Sequence, residues 1–152
     1  MIEQGLQQEI NMVMTEARNR RLEFVTVEHL LLALLNMDEV ISFLRGKRVN
    51  IDELRAELDQ YIDSHTPIIS EDAEIDIVPT VGFQRVLQRS VYQAQSAQKN
   101  SVNAMNVFVS IFSEKESHAV YMLKLNNISR LDVMEGISSQ LADTPRKETK
   151  KS

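Results

Sequence analysis

The chain repeats itself. When it is shifted by 77 positions along its own sequence, apolar residues fall on apolar residues over two successive helical patterns. Leu6 falls on Phe83, Ile10 on Leu87, Met14 on Val91 and Ala17 on Ala94. Val25 then falls on Val102, Leu30 on Val107, Leu31 on Phe108 and Leu34 on Ile111. Thr26 meets Asn103, and both are residue types that cap helix N-termini. A two-residue insertion follows, after which Phe43 meets Met122, Leu44 meets Leu123, Val49 meets Ile128, Leu54 meets Val133 and Leu58 meets Ile137. Each half is too small to bury much apolar surface alone, so the two halves are expected to share one core. The fold expected is all-α: a tandem repeat of two four-helix motifs forming an eight-helix pseudo-twofold domain.

The individual patterns support helices throughout. Apolar residues recur at steps of three and four, and only four glycines and three prolines interrupt 152 residues. Leu6, Ile10, Val13, Met14 and Ala17 form one such stripe. After Thr26 the run Leu30 to Leu35 is apolar on nearly every face, which marks a buried helix, with Glu28 in its first turn where negative charge is favoured. Gly46 is expected to punctuate the next segment, and Asn50 or Asp52 to cap a helix carrying Leu54, Leu58, Tyr61 and Ile62. In the second half, Phe83, Val86 and Ala94 line one helix, and Met105, Phe108 and Ile111 another. Val120, Tyr121, Met122 and Leu123 are core candidates behind a Ser117 cap. Ser129 and Asp132 have capping-box spacing ahead of a last helix with Leu131, Met134, Ile137 and Leu141. The expected division is repeat one over 1–64, an acidic linker over 65–79, and repeat two over 80–142, together one domain over 1–142. A flexible tail or linker start then covers 143–152. The linker holds Pro67, Pro79, Glu71, Asp72, Glu74 and Asp76, and is expected to cross the outside of the domain, with Ile75 and Ile77 able to pin it.

Composition narrows function. A formal charge of −5 argues against a general nucleic-acid binder, and the arginines and lysines near residues 18–21 and 45–48 read as a solvated face. With no cysteine there are no disulfides, thiolate zinc sites or cysteine nucleophiles. Apolar runs are too short to span a bilayer, and Glu3 and Glu9 interrupt any signal-peptide core near Met1. Gly-x-Ser-x-Gly, a phosphate-binding loop and His-Glu-x-x-His are all missing. Histidines stand only at 29, 65 and 118, and the sequence does not bring them together. Catalysis is therefore not expected. The better candidates are for protein docking. Glu23 and Glu28 flank the start of the Thr26 helix and are expected to project near one another. Thr80 is expected to cap the next repeat's first helix, and Arg85 to offer a forked donor to a partner carboxylate or to an acid within the domain.

The residues also carry a family resemblance. Phe24-Val25-Thr26-Val27-Glu28-His29-Leu30-Leu31-Leu32-Ala33-Leu34-Leu35 resembles the repeat signature of the Clp amino-terminal domain, as does the second copy from Asn103 to Glu114. The stretch Pro79-Thr80-Val81-Gly82-Phe83-Gln84-Arg85-Val86-Leu87-Gln88-Arg89 resembles the ClpA branch of that family more narrowly. The resemblance implies a mobile docking domain of a cytoplasmic AAA+ unfoldase that feeds substrates to the ClpP peptidase. It implies binding of the adaptor ClpS for delivery of N-degron substrates, through residues matching Glu23, Glu28, Thr80 and Arg85. ATP and magnesium belong to the ATPase modules of the parent protein, which this stretch lacks. The domain itself is expected to need no cofactor and to be a monomer, with adventitious zinc at histidine and acidic sites known in the family. The rival readings are direct binding of unfolded or tagged protein segments without an adaptor, a metal-dependent hydrolase, and a purely structural module of a ring.

Overall fold

The computed structural model describes the backbone of residues 1–71 and 76–151, and side chains among these as far as residue 140. Ile75, Asp72, Glu74 and the side chains of Leu141 and the tail, all singled out above, lie outside the described residues.

Eight helices follow in order: α1 Gln4–Asn19, α2 Val27–Leu34, α3 Asp38–Gly46, α4 Ile51–His65, α5 Val81–Ser96, α6 Ala104–Ile111, α7 His118–Leu125 and α8 Arg130–Lys151. Two short strands, β1 Phe24–Val25 and β2 Val78–Pro79, pair in parallel. Most starts are set by a side-chain cap. Asn50 accepts from Glu53 N at 3.1 Å, Thr80 from Phe83 N at 3.2 Å and Ser117 from Val120 N at 3.2 Å. Ser129 and Asp132 form the reciprocal box expected, with Asp132 N donating to Ser129 Oγ at 3.1 Å and Ser129 N to Asp132 Oδ2 at 2.8 Å.

The repeat is visible in backbone detail. Among the described residues four non-glycine residues sit in the left-handed region, Arg21 (φ 57°), Arg48 (φ 62°), Gln98 (φ 59°) and Asn127 (φ 60°), each just after a helix. Arg21 and Gln98 are equivalent in the two repeats, as are Arg48 and Asn127. These residues, not glycine, turn the chain out of its helices. Gly46 is the last residue of α3, so the punctuation expected there falls two residues later. The pairing of β1 with β2 recurs with the roles exchanged. Val25 pairs with Pro79, and their equivalents Val102 and Ile2 form a parallel bridge. Thr80 N donates to Val25 O at 3.0 Å, and Glu3 N to Val102 O at 2.9 Å. Each half thus uses the segment before its first helix to close on the other half, which is what a twofold relation between repeats requires.

The core lies between the two central helices. Every α2 residue but Leu32 is buried, and so is every residue of α6. α2 packs on α1, α4, α5, α6 and α7, so one apolar core serves both repeats. Gly136 of α8 lets that helix approach α3, since a Cβ there would come within 2.7 Å of the Phe43 ring. Two core candidates face outward instead: Tyr121 is 55% and Leu131 66% exposed. In the short α7 the neighbours Val120, Met122 and Leu123 already fill the inner face.

The described parts of the 65–79 segment, up to 71 and from 76 on, are stitched to the domain. Glu23 N donates to Pro67 O at 2.8 Å, Ile69 N to Arg21 O at 2.7 Å, and Val78 N to Glu23 O at 3.0 Å. Arg18 pairs with Asp76 at 3.1 Å, and Ile77 is buried.

Candidate functional site

The β1–β2 ladder gathers three of the four candidate docking residues. Glu23 immediately precedes β1 and is half-buried, with its backbone bonded on both sides to the crossing segment. Thr80 follows β2, and its hydroxyl caps α5. Arg85 lies one turn into α5 and is exposed. Exposed Val78 and Val81 and half-buried Phe24 lie on the same two segments. These segments therefore carry a carboxylate, a guanidinium and apolar side chains, the mixture that protein partners use.

Arg85 takes the intradomain alternative. Its Nε donates to Glu114 Oε2 at 2.9 Å and its Nη2 to Oε1 at 2.7 Å, a two-pronged pair. The hydrogen bonds from Arg85 hold the Glu114 carboxyl below its ordinary pKa, and the same contact raises that of Arg85. A partner carboxylate at Arg85 has to share or displace Glu114.

Glu28 departs from the sequence expectation. It does not project beside Glu23; it is 7% exposed, and its Oε2 accepts from Ala119 N at 3.0 Å. Ala119 is in the first turn of α7, so a carboxylate of repeat one caps a helix of repeat two. The sequence gives no sign of this contact, because the partner is a backbone amide 91 residues away. Replacing Glu28 by alanine leaves a buried N–H bare, and is expected to destabilise the domain by about 1–3 kcal/mol in urea denaturation. Glu28→Gln keeps an acceptor and is expected to lose less.

His29, next along α2, is also structural. Thr26 N donates to its Nδ1 at 3.0 Å, and Thr26 Oγ1 lies 2.9 Å from the same atom. Repeat two closes the same box with Asn106, which accepts from Asn103 N at 2.9 Å. His29 is 3% exposed, and burial, with Arg20 adding charge repulsion, lowers its pKa to about 4.

The other two histidines meet across the repeats. Tyr61 of α4 is stacked between His65, at 4.0 Å between ring centroids, and His118 of α7, at 3.9 Å. Burial, with the charge of Glu28 nearby, raises the Tyr61 pKa. The imidazoles lie on opposite faces of the phenol ring, so they do not share a ligand position. Among the described residues no three His, Cys, Asp or Glu side chains gather as a metal site, and no helix is long and apolar enough to cross a membrane.

Residues 1–126 match the family model of the Clp repeat (R) N-terminal domain. The chain belongs to that family. It is an N-terminal domain related to the Clp/Hsp100 unfoldase family. A protein of Fuscovulum blasticum described as a ClpA homolog is 35% identical over 141 residues, covering 92% of this chain. The chain spans only 18% of that relative's length. The Hsp104 N-terminal domain from Candida albicans superposes with a TM-score of 0.75 at 12% identity, over 89% of this chain and 87% of that one. The ClpV N-domain in complex with a VipB peptide superposes with a TM-score of 0.70 at 15% identity, over 93% of this chain and 88% of that one. The Clp_N fold is thus shared with domains whose sequences have diverged widely.

Proposed function

We propose that this Clp N-terminal domain is the docking module of a ClpA-type, ATP-dependent unfoldase that feeds the ClpP peptidase. In this reading it receives the adaptor ClpS, and with it N-degron substrates, on the face built by β1, β2 and the start of α5. The observation that carries the reading is the parallel ladder, which puts Glu23 beside the segment leading to Thr80 and Arg85 and leaves Val78 and Val81 exposed. Likeness to the ClpA homolog over 92% of the chain supports the ClpA assignment. Glu23 accepts from the partner, Thr80 fixes the start of α5, and Arg85 turns from Glu114 toward a partner acid. Glu28 contributes from below, by holding α7 in place. Charged contacts of this kind steer and orient docking more than they add affinity.

Calorimetric titration of the domain with ClpS tests this. One-to-one binding is expected, weakened about tenfold in the Glu23→Ala/Arg85→Ala double variant, as the loss of two solvent-accessible charged contacts of ordinary strength predicts. Unchanged affinity in that variant removes the site assignment. A second reading, direct capture of unfolded segments, draws on the exposed valines at 78 and 81. It predicts binding of a permanently unfolded protein by the isolated domain without ClpS, lost on Val78→Ser/Val81→Ser.

A further inference from the structure

A second surface of this domain gathers two arginines that make no ion pair or hydrogen bond among the described residues. A cleft of about 290 Å³ opens between α5, the end of α6 and the start of α8. Arg89, Tyr92 and Ser96 line it from α5, Val109 and Ser113 from α6 and the turn after it, and Arg130 from α8. Among the described residues no carboxylate lines it. Neither Arg89 nor Arg130 has an ion-pair or hydrogen-bond partner among the described residues, although the chain carries a net charge of −5. Two nearby acids are already engaged, although, beyond the hydrogen bonds from Arg85, the charge of Arg89 also helps to lower the pKa of Glu114. Both oxygens of Glu114 are held by Arg85, and Asp132 caps α8 and faces Lys47 at 3.5 Å. Tyr92 stands 74% exposed beside the two arginines.

We propose that this cleft binds an acidic peptide segment of a partner protein, with the two guanidiniums on its carboxylates and Tyr92 against a neighbouring apolar side chain. Two forked donors match the planar, two-oxygen geometry of carboxylates. Tyrosine and arginine together are the residue types that anchor protein interfaces. Val109 provides an apolar floor, which a purely ionic site for a small anion does not need, and this favours a peptide over free phosphate. The site is separate from the β1–β2 face, so either can fail alone.

The test is fluorescence anisotropy of a short labelled peptide, with glutamates flanking a phenylalanine, titrated with the 152-residue chain. Binding is expected to fall about tenfold in Arg89→Ala/Arg130→Ala, as the loss of two exposed charged contacts predicts. It is expected to fall as much when the peptide's glutamates are changed to glutamines, and to weaken with added salt. The Glu23→Ala variant should bind the peptide unchanged. Equal binding of the glutamine peptide, indifference to the double variant, no binding at all, or tighter binding of a single-stranded oligonucleotide than of the peptide would each overturn the proposal.

Discussion

Phe108→Ala is expected to cost about 3–5 kcal/mol of stability, a large part of what a domain of this size has. Phe108 is fully buried at the centre of α6. Its ring meets Phe43 of repeat one edge-on at 5.8 Å, and Phe112 of its own repeat at 5.9 Å. Truncation removes apolar burial and both ring contacts, and leaves a void that neither repeat can close alone, because α2 and α6 are both packed on several neighbours. Urea denaturation should show a lower midpoint with an unchanged slope, since one shared core unfolds as one unit. Phe108→Leu, which keeps most of the volume, should cost less than about 1.5 kcal/mol. Two separated transitions in the alanine variant would contradict a shared core.

Acid is expected to weaken the domain through His29. Its folded-state pKa, about 4, lies below the ordinary 6.5, so the unfolded chain takes up the proton first. Stability is full above about pH 6.5 and is lost as the pH falls toward 4, by about 3 kcal/mol in all. The cause is local. A proton on Nδ1 removes the acceptor that Thr26 N uses, and a charge appears in a site 3% exposed with Arg20 nearby. Glu114, held low by Arg85, adds its loss only as the pH drops below the ordinary carboxylate range, and Glu39, raised by burial, works in the opposite direction. The check is urea denaturation at a series of pH values between 7 and about 4.5, the window set by the two His29 values. His29→Asn, which copies the Asn106 box of repeat two, should flatten the profile whatever it does to absolute stability. A profile of the same slope in that variant would remove His29 as the cause.

What was legible in the chain, and what was not, divides along physical lines. Helices with a one-sided stripe, such as α1 and α5, announce themselves because their periodicity is local, and so do caps such as Asn50, Thr80, Ser117 and Ser129, whose partners lie three residues away. The repeat was legible for the same reason, since Leu30 and Val107 must fill matching places in one core. The β1–β2 pairing was not, because two-residue strands have no alternation to read. The fate of charged residues was least legible. Glu28 and Arg85 sit where a sequence reading puts docking groups, yet each has a partner inside the domain, 91 and 29 residues away. Nothing near either in sequence distinguishes a solvated carboxylate from one that turns inward. The His65–Tyr61–His118 stack was hidden similarly, since its members come from α4 and α7 of different repeats.

The central claim is that this Clp N-terminal domain receives a protein partner on the β1–β2 face. Amide hydrogen exchange of the domain, alone and saturated with ClpS, tests it most directly. Protection confined to the segments around Glu23–Val25 and Val78–Arg85, with α4 and α8 unchanged, is the result this account predicts. Protection elsewhere, or none at saturating adaptor, would contradict it.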